Sequence, residues 1–124
     1  MSDVLVYVGG AVLALWGVAH IAPTRSVADS FGEISGDSRR ILVMEWVAEG
    51  VTHISIGVLV ILMAALEVSA DPAVRLVYRV SAAALIALAA LTALTGARTP
   101  VVWFKLCPFV LTSVAALLLA ASAL

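Results

Sequence analysis

Charged side chains are scarce in this 124-residue chain. Only 12% of the residues are Asp, Glu, Lys or Arg, whereas 64% are hydrophobic. A soluble domain of this size leaves about a third of the surface of its unfolded chain in water, and it could not hide so many apolar side chains. Seven basic residues against eight acidic ones give a net charge of -1, which offers no basis for binding nucleic acid. The composition therefore predicts an integral membrane protein.

Two other features are also missing from the chain. It has a single cysteine, Cys107, so no internal disulfide can form. No basic residue precedes the first apolar segment, and no cleavage site is evident after it, so we expect a retained span rather than a signal peptide. None of the apolar segments alternates with a period of two, which argues against a β-barrel.

What the chain does have is four apolar segments, each close to the 20 or so residues that a spanning helix needs. They cover residues 4–22, 41–66, 75–95 and 101–124. The last two connections are short, so we expect successive helices to be antiparallel neighbours. The sequence predicts an all-α integral membrane protein, an antiparallel four-transmembrane-helix bundle that forms one membrane domain over residues 1–124.

The polar connection over residues 23–40 leaves two interpretations open. Val27, Phe31 and Ile34 follow a helical spacing after a potential cap at Thr24, which favours a short helix on the membrane surface. A plain loop explains the same residues equally well.

Basic residues predict the orientation. Five of the seven flank the first and third connections, and two flank the second. The first group is Arg25, Arg39, Arg40, Arg98 and Lys105, and the second is Arg75 and Arg79. Since cytoplasmic loops are enriched in Lys and Arg, we expect the loops at 23–40 and 96–100 in the cytoplasm and both termini outside, in the inner or plasma membrane.

The most informative stretch lies in the second segment. Glu45, Glu49 and His53 are four residues apart on one helix, at depths of about 6, 12 and 18 Å from the start of the span. An ionisable group near the middle of a bilayer costs about 2.5–3.5 kcal/mol on insertion scales, so such groups usually face the bundle interior and have a function. We predict that Glu49 carries a proton and that Glu49 and His53 form a proton-transfer pair.

Antiparallel spans bring other polar residues to the same end of the bundle. We expect Lys105 or Arg98 to neutralise Glu45, and His20 or His53 to hydrogen-bond Glu49. The predicted ligand-binding residues are Trp16, His20, Glu45, Trp46, Thr52, Trp103 and Lys105.

Simpler explanations exist for most of these residues. Glu45 and Lys105 can reach the membrane surface, and the tryptophans can form an interfacial aromatic belt. Glu49 and His53 can form a structural hydrogen bond between helices. The Cys107-Pro108 pair predicts a helix kink.

Four functions fit the pattern. The first is a pocket for a small hydrophobic molecule of the lipid, isoprenoid or quinone type, with acid–base chemistry as an extension. The second is a proton-coupled transporter acting as a dimer. Small multidrug resistance transporters share the size and the four spans, but their glutamate lies in the first helix. The third is a non-catalytic membrane subunit or assembly factor.

The fourth function is metal binding by the set His20, Glu45, Glu49 and His53. Metal-binding bundles use Glu-x-x-His, whereas this chain has Glu-x-x-x-His, so we expect no metal, and the sequence requires no cofactor. The expected partners are the lipid bilayer, a small hydrophobic ligand, and a second copy of the chain or another membrane protein.

The arrangement of these motifs resembles small bacterial four-helix membrane proteins of the DoxX-like kind. The resemblance rests on Trp16 and His20 at the end of the first helix, on Glu45-Trp46-x-x-Glu49-Gly50 in the second, and on Lys105-x-Cys107-Pro108 in the fourth. It implies the four-helix membrane fold and a membrane location. It implies no particular activity.

Overall fold

The computed structural model describes residues 2–66 and 71–124. The helices are α1 (Ser2–Ile21), α2 (Thr24–Ser30), α3 (Gly36–Ala65), α4 (Pro72–Leu94) and α5 (Val102–Ala123), with a short 3-10 turn at Gly96–Arg98. The described residues contain no strand. Helices α1, α3, α4 and α5 are each long and apolar enough to cross a membrane. The predicted fold class, an all-α multi-pass membrane bundle, is confirmed.

Local capping explains where two of the long helices begin. The Ser35 hydroxyl accepts the Ser38 backbone N–H at 3.1 Å, so α3 begins at Gly36, five residues before the predicted start of its span. The Asp71 carboxylate accepts the Ala73 N–H at 2.7 Å, and Pro72 occupies the first turn of α4. Hydropathy defines the apolar part of a helix, whereas capping residues define its first turn.

The polar connection does contain a short helix, α2, as one of the two interpretations predicted. It ends at Ser30, so Phe31 and Ile34 lie beyond it. The Arg39 guanidinium forms an ion pair with Asp29 and fixes α2 against the first turns of α3.

The four long helices pack in the order α3, α1, α5, α4. Helix α1 packs extensively on α3 and also on α5, and α5 packs extensively on α4. Helices α3 and α4 make few contacts, although they follow each other in the chain. The expectation that successive helices are neighbours therefore holds for α1 with α3 and for α4 with α5, but it is wrong for α3 with α4. This arrangement leaves a gap between α3 and α4.

The closest helix contact is a reciprocal glycine crossing between α1 and α3. A Cβ on Gly17 would lie 2.6 Å from the Gly50 carbonyl oxygen, and a Cβ on Gly57 would lie 2.6 Å from the Gly10 carbonyl oxygen. Only glycine allows two helix backbones to approach this closely. Since the pairs are Gly10 with Gly57 and Gly17 with Gly50, the two helices are antiparallel.

The core is built from residues of all four long helices. Its largest fully buried apolar side chains include Leu13, Tyr78, Leu85, Leu111 and Leu118. Ala116 and Ala120 of α5 are four residues apart, and both are exposed. The buried face of α5 carries Val114, Ala115 and Leu118.

Candidate functional site

A histidine and a glutamate from two helices meet beside the glycine crossing. The Nε2 atom of His20, in the last turn of α1, lies 3.6 Å from Oε2 of Glu49 on α3. Gly17 lies one turn before His20, and Gly50 directly follows Glu49, so the close approach of the two helices brings these side chains together. The His20 side chain is only 8% exposed, whereas that of Glu49 is 30% exposed. The imidazole is thus enclosed and the carboxylate faces an opening.

Trp46 holds His20 in place by two contacts. The two rings stack with centroids 4.0 Å apart and planes inclined by 16°. The Trp46 indole N–H also donates a 2.7 Å hydrogen bond to the His20 backbone carbonyl oxygen. Carbonyls in the last turn of a helix have no intrahelical donor, so this bond satisfies one of them. Phe104 of α5 packs edge-on against Trp46, with centroids 5.4 Å apart.

His53 lies behind His20, one turn of α3 beyond Glu49. The two imidazole rings meet edge to face with centroids 5.9 Å apart. His53 is fully buried, and neither of its ring nitrogens has a hydrogen-bond partner among the described residues. In this geometry Glu49 contacts His20 on the neighbouring helix, and His53 forms the second layer of the site.

Two cavities flank the His20–Trp46 stack, and we name them the aromatic cavity and the threonine cavity. The aromatic cavity has a volume of about 520 Å³ and contains no acidic residue in its lining. Its walls are Trp16, Ala19, His20, Ala22, Pro23, Trp46, Trp103, Phe104 and Cys107. Trp16 places an indole N–H there that is buried without a hydrogen-bond acceptor among the described residues.

The threonine cavity lies in the gap between α3 and α4 and has a volume of about 650 Å³. Its polar walls are His20, Glu45, Glu49, Thr52, Thr92, Thr95 and Thr99. Apolar walls come from Phe31, Leu42, Trp46, Ala48, Leu88, Leu91 and Phe104, and Gly96 and Cys107 complete the lining. His20, Trp46, Phe104 and Cys107 line both cavities, so the two adjoin each other across these four side chains.

Most of the residues predicted from the sequence line these cavities. Trp16 and Trp103 line the aromatic cavity, Glu45, Glu49 and Thr52 line the threonine cavity, and His20 and Trp46 line both. His53 lines neither cavity and contacts the site through His20.

Two expectations about charge fail. Lys105 is exposed and lines neither cavity. Among residues 2–66 and 71–124 no ion pair joins Glu45 to Lys105 or Arg98, so neither of them neutralises Glu45. The part of the chain that the structure describes holds no group of three side chains placed to bind a metal, so the set considered above does not assemble.

Sequence reasoning missed several lining residues. Thr99 and Phe104 carry no pattern that separates them from other apolar or loop residues, and Phe31 was noted only for its helical spacing in the polar connection. Phe104 did have one usable signal, because Pro108 follows it by four residues and lies inside α5. A proline there has no N–H to donate, so the Phe104 carbonyl has no helical partner. Cys107 is buried between the cavities, close to Trp16 and Thr92.

Replacing Trp46 with phenylalanine tests the contact at the end of α1. The variant keeps an aromatic ring against His20 but loses the N–H that bonds the His20 carbonyl. We expect it to lower the free energy of unfolding by about 1 kcal/mol, the usual net value of one hydrogen bond, measured by thermal denaturation in detergent. Trp103→Phe is the matched control, because Trp103 is 67% exposed. Equal effects of the two substitutions would contradict this role of Trp46.

Comparison of the chain with protein-family models, with curated proteins and with solved structures gives no match.

Proposed function

We propose that this chain is a membrane protein that binds a small hydrophobic molecule carrying one polar group in the two adjoining cavities. The observation that supports this most directly is the His20–Glu49 pair, which stands on the wall of a 650 Å³ cavity with mostly apolar lining. Ligand sites in proteins are typically apolar concavities with a few converging polar groups. The volumes of the two cavities suit a molecule of lipid, isoprenoid or quinone size.

The gap between α3 and α4 supports entry from the lipid. Ala48 and Thr52 of α3 and Leu91 of α4 line the threonine cavity and are exposed. These helices are long enough to span the bilayer, so their exposed faces contact hydrocarbon. A ligand dissolved in the membrane would therefore reach Glu49 without crossing water.

The Glu49–His20 pair also suits acid–base chemistry on the ligand. A carboxyl and an imidazole at 3.6 Å can pass a proton to or from a polar group that binds beside them. We propose binding as the primary function and proton transfer between Glu49, His20 and the ligand as its extension.

We further propose a location in the plasma or inner membrane, with both termini outside. In this orientation α2 and the Gly96–Arg98 turn lie at the cytoplasmic surface, where five of the seven basic residues would also lie. The threonine cavity would then open in the cytoplasmic half of the membrane.

The direct test is to identify what the purified protein retains. The wild-type protein and two variants would be purified in mild detergent, and their organic extracts compared by mass spectrometry. Ala48→Phe fills the threonine cavity, whereas Ala83→Phe adds the same ring to an exposed position on α4 that lines neither cavity. We expect Ala48→Phe to retain about tenfold less of this molecule than the wild-type protein, which is equivalent to about 1.4 kcal/mol of binding free energy. Ala83→Phe should retain the same amount as the wild-type protein.

A second pair of variants addresses the carboxylate. Glu49→Gln should release the same molecule, whereas Glu33→Gln removes an exposed carboxylate outside both cavities and should not. If the extracts of wild-type protein and of Ala48→Phe contain the same molecules in the same amounts, the proposed function is wrong.

A further inference from the structure

We propose that the polar group of the ligand is a protonated amine that donates N–H hydrogen bonds in the threonine cavity. This inference rests on the proposed function, since it specifies the chemistry of the ligand in the same site. It is carried by the hydrogen-bonding state of the cavity wall, which presents acceptors almost exclusively.

The four threonines that line this cavity all donate their hydroxyl protons to the protein backbone. The acceptors are the carbonyl oxygens of Ala48, Leu88, Leu91 and Gly96, at 2.8, 2.9, 2.7 and 2.7 Å from Thr52, Thr92, Thr95 and Thr99. A hydroxyl has one proton and two lone pairs, so a threonine that donates in this way can only accept a further hydrogen bond. Each threonine therefore offers the cavity an acceptor.

The remaining polar groups strengthen the same bias. Glu45 and Glu49 add carboxylate oxygens, and the carbonyl of Phe104 lacks its helical donor because of Pro108. Donors nearby are few: the Trp46 N–H bonds the His20 carbonyl, and the His20 Nε2 atom, which has no hydrogen-bond partner among the described residues, lies 3.6 Å from the Glu49 carboxylate. Lys105 and Arg98, the basic residues closest in sequence, are not part of the lining.

An acceptor-rich wall discriminates between ligand classes. A carboxylate, a quinone or an ester brings further acceptors, so it would leave both itself and the wall short of hydrogen-bond donors. An ammonium group brings several donors and a positive charge, which matches the two carboxylates. The rings of Phe31, Trp46 and Phe104 add aromatic surface suited to a cation.

The aromatic cavity complements this arrangement. Its lining contains no acidic residue and consists mainly of aromatic and small apolar side chains. The apolar portion of the ligand would occupy this cavity, and its amine would point past His20 toward Glu49. The ligand class is therefore an amphiphilic amine.

Three probes with the same dodecyl chain separate the contributions of charge and of N–H donation. Protein in phosphatidylcholine nanodiscs would be titrated calorimetrically with dodecylamine, dodecyltrimethylammonium or dodecanoate, and titrations of protein-free nanodiscs would be subtracted. We expect dodecylamine to bind about tenfold or more tightly than dodecanoate, and about fivefold more tightly than dodecyltrimethylammonium, which has the charge but no N–H.

A near-isosteric variant tests the threonine acceptors themselves. Thr92→Val should weaken dodecylamine about threefold or more while leaving dodecyltrimethylammonium unchanged, since only the amine can donate to the hydroxyl oxygen. Thr112→Val is the control, because Thr112 is exposed on α5 and lines neither cavity. Both variants should unfold at similar temperatures.

The outcomes distinguish this inference from the proposed function. If dodecanoate binds as tightly as dodecylamine, or if the two cations bind equally, the amine assignment is overturned. Should Ala48→Phe then still abolish the binding of dodecanoate, the cavity is a ligand site of another chemistry and the proposed function stands. If Ala48→Phe leaves the binding of all three probes unchanged, both proposals are wrong.

Discussion

Gly50→Ala should destabilise the protein strongly. A Cβ at this position would contact the Ile21 side chain and would lie 3.0 Å from the Gly17 carbonyl oxygen. Ile21 is the last residue of α1. The Gly17 carbonyl is part of a helix backbone, so it cannot move away from the added methyl without separating the two helices. We expect a loss of about 2–3 kcal/mol in the free energy of unfolding, at the upper end of the usual cost of overpacking, measured by chemical denaturation in detergent.

Gly36→Ala provides a matched control on the same helix. No atom lies within 4 Å of a Cβ at Gly36, so the added methyl meets open space. Because alanine favours the helix and restricts the unfolded chain, we expect this control to be neutral or to stabilise by up to about 1 kcal/mol. If Gly50→Ala proves as stable as Gly36→Ala, the close crossing of α1 and α3 does not exist.

Combining Gly50→Ala with Gly17→Ala tests whether the two glycines act as a pair. A Cβ on Gly17 would lie 2.6 Å from the Gly50 carbonyl oxygen, so either methyl forces the same two backbones apart. Once the first substitution has separated them, the second should cost less, and the double variant should lose less stability than the sum of the single ones. Strict additivity would show that the two positions are independent.

His53→Leu should have the opposite effect and stabilise the protein. His53 is fully buried, and both of its ring nitrogens lack hydrogen-bond partners among the described residues. A buried polar group without a partner costs about 1–3 kcal/mol, and leucine of similar size removes that cost. We expect the free energy of unfolding to rise by about 1 kcal/mol or more, with a corresponding rise in Tm. A stability penalty of this kind is typical of residues that are retained for function.

His20→Leu is the contrasting variant, because the His20 ring contacts both Glu49 and Trp46, although its Nε2 atom has no hydrogen-bond partner among the described residues. Its removal leaves Glu49 without the imidazole at 3.6 Å and removes the ring that stacks on Trp46. We therefore expect His20→Leu to lower the free energy of unfolding and His53→Leu to raise it. Destabilisation by both substitutions would mean that His53 has a structural role in the core.

The sequence predicted the helical spans and part of the site for reasons that are local. Long apolar segments require spanning helices, and an ionisable residue deep in such a segment must face the protein interior or an opening within it. For this reason the sequence alone groups His20, Trp46 and Glu49, and the structure brings them together. The short helix α2 was one of two open interpretations of the polar connection, and Phe31 and Ile34, two of the three residues that suggested it, lie beyond its end.

The same reasoning failed where the answer depended on how the helices pack. Lys105 was placed beside Glu45 because both lie near the same end of the bundle, yet Lys105 lies on an exposed face of α5. Ala116 and Ala120 have the spacing of a contact stripe but face outward. Depth along a span is fixed by sequence position, whereas the direction in which a helix face points is not.

By itself, then, the sequence determined that this is a membrane protein, where its spans lie and at which end its polar groups gather. The free-energy cost of placing an apolar group in water or a charged group in lipid depends on residue type and depth, and both can be read from the sequence. Only the tertiary structure decided that α1 and α3 meet through glycines, that α3 and α4 remain apart, and that the gap becomes a cavity walled by acceptors. Those features arise from contacts between residues that are distant in the chain. Packing between the helices sets how each helix is rotated about its axis, and so which side chains face the cavity.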